Sequence, residues 1–280
     1  MLAPVAPTLT EKTTPTPGVE VYFPTLDSDA VTIIVWRLAG DGREPVQGAD
    51  REAVSGDFVV TDWHVPFGVD VTYVGEIFDI GGASISGAQS TIVVDRDEVW
   101  FQDQLDAERS VRIRLTDDAE EWLLRGAGSE LVRKRKSARQ FVFGRRSPFL
   151  QNFGLGGLEG VQLDSYTESE DDMNAMLDLM ESSPIVVRTP PIFASLPRVL
   201  FADVPTPTAR PVAQSQGGYR HLWLLRADEV EPTSRAVIRP LVTWADWEAA
   251  FPTADYTWDD VELIYSAGTW TDAVRNPPNA

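Results

Sequence analysis

Short runs rich in β-branched and aromatic residues recur between residues 19 and 95, and clusters of Gly, Pro and Ser separate them. Runs of this length without a helical repeat predict strands, and several strands at regular spacing predict a β-sandwich. The predicted strands span 19–23, 31–38, 57–63, 69–78 and 90–94. We therefore expect a mainly β fold that begins with an N-terminal sandwich.

Residues 1–18 contain four prolines among Thr and Ala. This composition predicts an extended arm that does not pack as a regular element. The segment 19–95 is short for a complete sandwich. One strand is therefore expected to be missing or to be supplied by the arm.

Residues 96–240 predict a second, mixed β domain that contains one amphipathic helix. Thr167 with Glu170 three residues later is a capping-box pattern, and the predicted helix spans 168–182. Its buried stripe, at helical spacing, is predicted to be Met173, Met176, Leu177 and Met180. Strands are predicted around it at 100–101, 110–115, 140–143, 160–166, 184–189, 199–204 and 221–229.

One phrase, Thr-Trp-x-Asp, occurs three times in residues 241–280, with its tryptophans at Trp244, Trp258 and Trp270. A Thr N-cap followed by an Asp in the first turn predicts a helix start, so this tail should form short helices. Helices of this length are not stable alone, so their tryptophans are predicted to dock on another surface. The repeat is therefore interpreted as a docking device.

Composition excludes several classes of function. The net charge is −19, which disfavours nucleic-acid binding, and the chain has no cysteine for a disulfide, thiolate metal site or nucleophile. The N-terminus lacks the pattern of a signal peptide, and no apolar run reaches the roughly 20 residues of a membrane span. We expect synthesis in the cytoplasm and no membrane partner.

No pattern of catalytic, cofactor-binding or metal-ligating residues is found. The two histidines, His64 and His221, stand apart from other ligand-type residues, and no Ser lies in a nucleophile pattern. The glycine-rich stretch 154–160 fits neither the dinucleotide nor the phosphate-loop pattern, so it is predicted to be a turn between strands. We therefore expect a protein that is not an enzyme and needs no cofactor.

The segment 125–146 is an exception to the acidic balance, with eight bases and one acid. Its densest part comprises Arg133, Lys134, Arg135 and Lys136. It is interpreted as a phosphate contact, as a solvated hairpin tip, or as a surface complementary to an acidic face of an identical copy. The third interpretation is favoured, because the rest of the chain is acidic.

These motifs together resemble proteins of phage tails. The Thr-Trp-x-Asp repeats are similar to the C-termini of minor tail proteins of phages that infect actinobacteria. Segments 35–37, 57–62, 66–69 and 72–73 resemble the β-sandwich that begins the same proteins, with Trp36 inward and Tyr73 late as in a fibronectin type III or immunoglobulin-like domain. Segment 160–191, which contains Val-Val-Arg-Thr-Pro-Pro, resembles the ring-forming domain of siphophage distal tail proteins.

The resemblance implies a structural subunit of the virion tail tip or baseplate. Such a subunit forms a homo-oligomeric ring, with six-fold symmetry expected ahead of three-fold, and joins the tail tube to host-recognition components. Its expected partners are the tail tube protein, the tape measure protein and other tail-tip proteins. Two alternatives stay open: a carbohydrate-binding module for host glycan that uses Trp63, Trp100 and Trp223, and a cell-wall hydrolase with paired carboxylates.

Overall fold

The computed structural model describes residues 5–40, 42–113, 131–140, 149–167, 169–182, 184–211 and 221–233. These residues form eighteen strands and one helix, so the prediction of a mainly β fold is confirmed. Trp244, Trp258, Trp270 and the rest of the predicted helical tail lie outside the described residues. Most of the strand predicted at 140–143 lies outside them as well.

Seven antiparallel strands form the first lobe, which we call the sandwich lobe. They are β1 (Thr8–Lys12), β2 (Gly18–Phe23), β3 (Ala30–Ala39), β4 (Gly42–Ala53), β5 (Phe58–Asp62), β6 (Asp70–Asp79) and β7 (Ser84–Val93). One sheet has the order β1-β2-β5 and the other has the order β4-β3-β6-β7. This is a seven-stranded two-sheet sandwich, while its relation to fibronectin type III domains stays a prediction.

The two sheets share one apolar core. Val21 and Phe23 of β2 lie in the same buried cluster as Ile33 and Val35 of β3. A Cβ added at Gly75 of β6 would lie 2.7 Å from the Phe23 ring, so only glycine lets that ring approach the opposite sheet so closely. The period-2 alternation of apolar residues along these strands produces this packing.

The arm is packed more tightly than its proline content suggested. Its strand β1 pairs in register with β2, and the Ser90 hydroxyl donates to the Pro7 carbonyl at 2.6 Å. The Arg96 guanidinium also pairs with Glu11 of β1. The expectation that residues 1–18 form no packed element is therefore wrong for this strand, because backbone pairing along β2 compensates for its weak apolar pattern.

Trp36 does not face the core as expected. The alternation along β3 turns Ile33, Val35 and Arg37 inward, so Trp36 lies half-buried on the outer face. Its Nε1 donates to Glu76 Oε2 at 2.8 Å, and the Arg43 guanidinium lies 4.1 Å from its ring centroid. Successive side chains of a strand point to opposite faces, so a shift of one residue along β3 is enough to turn Trp36 from the inner face to the outer face.

Eleven further strands and one helix form the second lobe. They are β8 (Val99–Asp103), β9 (Ser110–Ile113), β10 (Val132–Gln140), β11 (Phe149–Glu159), β12 (Val161–Gln162), β13 (Ser165–Thr167), α1 (Glu170–Met180), β14 (Ile185–Arg188), β15 (Val199–Asp203), β16 (Thr208–Pro211), β17 (His221–Leu224) and β18 (Arg226–Glu229). The main sheet has the order β12-β18-β15-β14-β8-β9. A second sheet has the order β13-β17-β16, and β10 and β11 form a two-stranded hairpin.

The helix begins later than the capping-box pattern predicts. Its N-cap is Ser169, whose hydroxyl accepts from the Asp172 amide at 3.0 Å. Thr167 instead ends β13, where its hydroxyl accepts from Trp223 Nε1 at 3.0 Å. A distant tryptophan therefore occupies the side chain that was expected to cap the helix.

The buried stripe of α1 also differs by one position. Met176 and Leu179 are fully buried in the core of the second lobe, and Met173 and Met180 pack against it. Leu177 is 47% exposed, so its assignment to the stripe is wrong. At 100° per residue the two fully buried positions, Met176 and Leu179, lie about 60° apart, and Leu177 points about 130° away from the direction midway between them.

The glycine-rich stretch 154–160 is mostly strand and not a turn, because β11 continues to Glu159. A Cβ added at Gly157 would lie 3.2 Å from the backbone oxygen of Glu229. Glu229 also accepts from the Leu158 amide at 2.7 Å. Small residues let β11 approach β18 closely, and this approach fixes the base of the hairpin.

The two helix leucines give a matched test of this packing. We expect Leu179→Ala to lower the free energy of unfolding by about 2–5 kcal/mol, because it opens a cavity in the core. Leu177→Ala should change it by less than about 0.5 kcal/mol, since that side chain is largely exposed. Urea unfolding followed by circular dichroism measures both values. Equal losses for the two variants would show that the helix register is wrong.

Candidate functional site

Buried polar side chains gather where the two lobes meet, in a region that we call the junction. They are Thr16, Arg37, Asp62, His64, Gln102, Gln104 and Arg188. Burying charged and polar groups is costly unless they bind one another. The junction is therefore the feature of the described structure whose polar chemistry most needs an explanation.

Asp62, at the end of β5, is the anion of the sandwich half of the junction. Arg37 Nη1 lies 3.1 Å from both of its carboxylate oxygens, and the Tyr73 hydroxyl donates to Oδ2 at 2.8 Å. The His64 amide donates to Oδ1 at 2.9 Å. Arg37 Nη2 also donates to Glu44 Oε2 at 2.6 Å. Asp62 thus joins three strands at one end of the sandwich.

This pairing keeps both partners charged. Burial by itself would raise the pKa of Asp62, but Arg37, His64 and the hydrogen bond from Tyr73 together outweigh burial and hold that pKa below its ordinary value. Burial by itself would lower the pKa of Arg37, but Asp62, Tyr73 and Glu44 together outweigh burial, and the pKa is raised. Burial and the neighbouring Asp62 raise the pKa of Tyr73, so its hydroxyl stays protonated as a donor.

Arg188, the last residue of β14, reaches from the second lobe to the sandwich lobe. Its Nη1 donates to the Pro17 carbonyl at 2.6 Å, and its Nη2 donates to the Thr16 hydroxyl. Nη2 also donates to Gln102 Oε1 at 3.0 Å, and the guanidinium lies 4.7 Å from the centroid of the Phe67 ring. Burial lowers the pKa of Arg188 to about 9, so it remains a cation at neutral pH.

Apolar contacts surround these polar groups and bring the lobes close together. The His64 and Phe201 rings meet edge to face, with centroids 5.5 Å apart. A Cβ added at Gly68 would lie 2.2 Å from Pro191 Cγ, and the φ of Gly68 is +64°. Trp100 of β8 packs against the core of the sandwich lobe. The lobes therefore form one closely packed unit at this point.

Two clefts border the junction, and Arg37 and Glu44 line both. One has a volume of about 290 Å³ and includes His64, Phe201 and Thr233 in its wall. The other has a volume of about 270 Å³ and includes Arg198. Both fall below the roughly 300–1,000 Å³ typical of small-molecule sites, so the junction is better explained as a structural joint.

The basic residues predicted to dock lie on the hairpin strand β10 and are not part of the junction. Arg133 and Lys134 lie on β10 and are exposed, and Lys134 pairs with Glu159 of β11. The hydrogen bond to Glu159 raises the pKa of Lys134. Arg135 and Lys136 follow on the same strand. The structure thus gathers the basic residues on one hairpin strand.

Sequence reasoning missed the junction, although its residues left a signal. Arg37 and Arg188 each interrupt an apolar strand sequence on the face that should be buried. A cation at such a position needs a partner from another part of the chain. The sequence does not show which acceptors fold onto it.

The tryptophans proposed as a glycan platform do not form an open groove. Trp63 and Trp223 are buried, with 8% and 2% of their surface exposed. Trp100 is half-buried against the core of the sandwich lobe. These three rings therefore present no shared flat surface on which a sugar could stack.

Within the described residues, no group of three or more His, Asp or Glu side chains is placed to hold a metal ion. No helix in those same parts of the chain is long and apolar enough to cross a membrane. Neither a protein-family model nor a curated protein matches this chain. The interpretation of its function therefore depends on its own residues.

Removing Arg188 tests whether it joins the lobes. Arg188→Met leaves the acceptors on Thr16, Pro17 and Gln102 without their donor, at a cost of about 1–3 kcal/mol each. We expect calorimetry to show two unfolding transitions instead of one, because the lobes lose their shared contact. Arg198→Met is the control, since Arg198 donates only within the second lobe, to the Pro190 carbonyl. A single, unshifted transition for Arg188→Met would contradict this role.

Acid should weaken the fold through His64. Burial lowers the pKa of His64 to about 3, whereas an exposed histidine has a pKa of about 6.5. Below pH 6.5 the unfolded chain therefore gains a proton that the folded chain excludes, and stability falls by up to about 1.4 kcal/mol per pH unit until pH 3. Below about pH 4 the depressed pKa of Asp62 adds to the loss.

Variants of the two histidines test this assignment. His64→Gln should flatten the dependence of unfolding free energy on pH between 6.5 and 4. His221→Gln removes the other histidine of the chain and should leave that slope unchanged. Urea titrations at each pH measure the slope. A slope that survives in His64→Gln would assign the effect to another group.

Proposed function

We propose that this chain is a structural subunit of a phage tail tip or baseplate. It assembles with copies of itself into a ring that joins the tail tube to host-recognition components. The observation that carries the proposal is the hairpin of β10 and β11, whose strand β10 is basic and exposed at residues 132–134, in a chain with a net charge of −19. Such a hairpin is suited to binding the acidic surface of an identical copy.

The marginal stability of a two-stranded hairpin supports an intermolecular role. Its strands have nine and eleven residues, and within the described residues each has only the other as a sheet partner, although Leu158 at the base of β11 is buried in the core of the second lobe. Isolated two-stranded hairpins are marginally stable in water. Residues 131–134 are exposed along one end of β10, and Leu155 of β11 is 65% exposed. A neighbouring subunit would cover this surface and stabilise the hairpin.

The junction supports a mechanical role. Lobes of one chain ordinarily move relative to each other unless their interface is large and apolar. Here a buried cation and a close ring contact hold them together, through Arg188 and through the edge-to-face pair of His64 with Phe201. The hydrogen bonds from Arg188 restrict the orientation of the lobes, because few other orientations give this guanidinium its acceptors. A ring subunit needs this property to hold its two lobes in register.

The C-terminal repeat supports contacts with further tail-tip proteins. Three copies of Thr-Trp-x-Asp supply Trp244, Trp258 and Trp270 as large apolar anchors. Each anchor can bury on the order of 200 Å², and buried aromatic residues dominate the energetics of protein interfaces. Their partners in the proposal are the ring itself, the tail tube protein and the tape measure protein. No described residue favours the glycan-binding or hydrolase alternatives over this assembly.

The mass of the full chain in solution tests the proposal. At micromolar concentration, light scattering should show a ring, with six subunits expected before three. Electron microscopy of the same sample should show closed rings, and antibody labelling should place the protein at the tail tip of virions. Because the contact is between charged surfaces, raising the salt concentration should dissociate the ring. A monomer at every salt concentration, with no ring in virions, would overturn the proposal.

A further inference from the structure

We infer that strand β10 of one subunit binds the exposed acidic face of α1 in the next subunit. This inference rests on the proposed ring and names the two surfaces that form it. The first surface, which we call the hairpin surface, comprises the side chains of residues 131–134 and of Leu155. The second, which we call the helix surface, comprises Leu177 and the exposed acidic residues of α1 and its C-cap. Both surfaces belong to the second lobe.

The helix surface is strongly acidic and lacks bases. The exposed acids are Glu170, Asp171, Asp172, Asp178 and Glu181. Segment 169–182 contains no Lys or Arg. None of these five carboxylates has an ion pair within the described residues. Among the described residues, the charge of these carboxylates is therefore not compensated.

The end of the helix makes a cationic partner favourable. Asp178 lies in the last turn of α1 and Glu181 is its C-cap, and that turn contains no base. The C-terminal end of a helix carries partial negative charge, so acids there are destabilising and cations are stabilising. An Arg or Lys from outside the chain would offset both the dipole and the two carboxylates.

An apolar contact accompanies the charges on each surface. Leu177 is 47% exposed beside Asp178, and on the hairpin Leu131 and Val132 are 37% and 40% exposed beside Arg133. Exposed apolar groups next to opposite charges give a contact with an apolar centre and a charged rim, which is the usual layout of a specific interface. This mixture distinguishes the two surfaces from a simple solvated patch of charge.

The pairing also has the symmetry that a ring needs. The hairpin surface and the helix surface are different parts of the same chain, so their contact is head-to-tail. Head-to-tail contacts between identical chains close into rings when the rotation per subunit divides the circle. A two-fold contact of one surface with itself would instead stop at a dimer. Contact between the two surfaces therefore agrees with a ring and not with an isolated pair.

Charge reversal of each surface separately, and then of both together, tests the contact in the full chain. Arg133→Glu with Lys134→Glu reverses the hairpin surface, and Asp178→Lys with Glu181→Lys reverses the helix surface. Each double variant should raise the dissociation constant of the ring at least about tenfold, because like charges then face each other. Combining all four changes restores opposite charges and should bring the constant back to within about threefold of the original.

Reversals at exposed sites away from both surfaces serve as controls. Arg210→Glu on β16 makes the chain more negative, as each hairpin substitution does. Glu52→Lys on β4 makes the chain more positive, as each helix substitution does. Both should leave the dissociation constant unchanged. Circular dichroism and thermal unfolding confirm that each variant folds. Leu177→Asp is an additional variant that should weaken the ring without disturbing the helix core.

The outcomes separate this inference from the proposed ring. Sedimentation velocity measures each dissociation constant, and carbodiimide cross-linking of a mixture of isotopically labelled and unlabelled chains should join Lys134 to Asp178 or Glu181 across subunits. A ring that is insensitive to both reversals would overturn the contact and leave the ring standing. Failure of the combined variant to recover would also overturn it. Loss of DNA binding with an unchanged ring would assign the hairpin to nucleic acid.

Discussion

The ion pair between Arg37 and Asp62 holds together the end of the sandwich lobe against which the second lobe packs. It lies at one end of the sandwich, with both side chains buried and joined at 3.1 Å. Asp62 also accepts from Tyr73 and from the His64 amide, so the ends of β3, β5 and β6 are fixed together. The second lobe docks against this end, and Arg188 completes the joint.

The cost of burying two arginines explains why each guanidinium binds several acceptors. A buried charge left without partners destabilises a fold far more than a lost surface contact does. Arg37 satisfies this requirement through carboxylates, whereas Arg188 does so through a backbone carbonyl, a hydroxyl and an amide oxygen. Burial consequently lowers the pKa of Arg188 but not that of Arg37. The joint is specific because few other orientations of the lobes would satisfy both cations.

A fixed joint leaves the surfaces of the second lobe in defined positions. The basic hairpin and the acidic helix both belong to this lobe, and Arg188 ties the sandwich lobe to it. In the proposed ring the second lobe makes the contacts between subunits, and the sandwich lobe is carried in a constant orientation. In that proposed ring, the separation of basic and acidic surfaces within one chain would set the direction of the contact, since each surface repels a copy of itself.

The sequence by itself determined the elements in which apolar residues recur at the regular spacing of a strand or a helix. The apolar alternation of β3 and β6 and the methionine spacing of α1 were sufficient to place these elements, because burial of one face requires that period. Strand β4 was missed because Pro45 and Gly48 interrupt it and its apolar pattern is weak, so its pairing with β3 defines it. Tertiary structure alone decided the cap at Ser169, the outward Trp36 and the bond from Arg188 to Thr16, 172 residues away. Each depends on which groups the fold brings next to a given donor, acceptor or strand face. The local pattern of residues along the chain does not specify those neighbours.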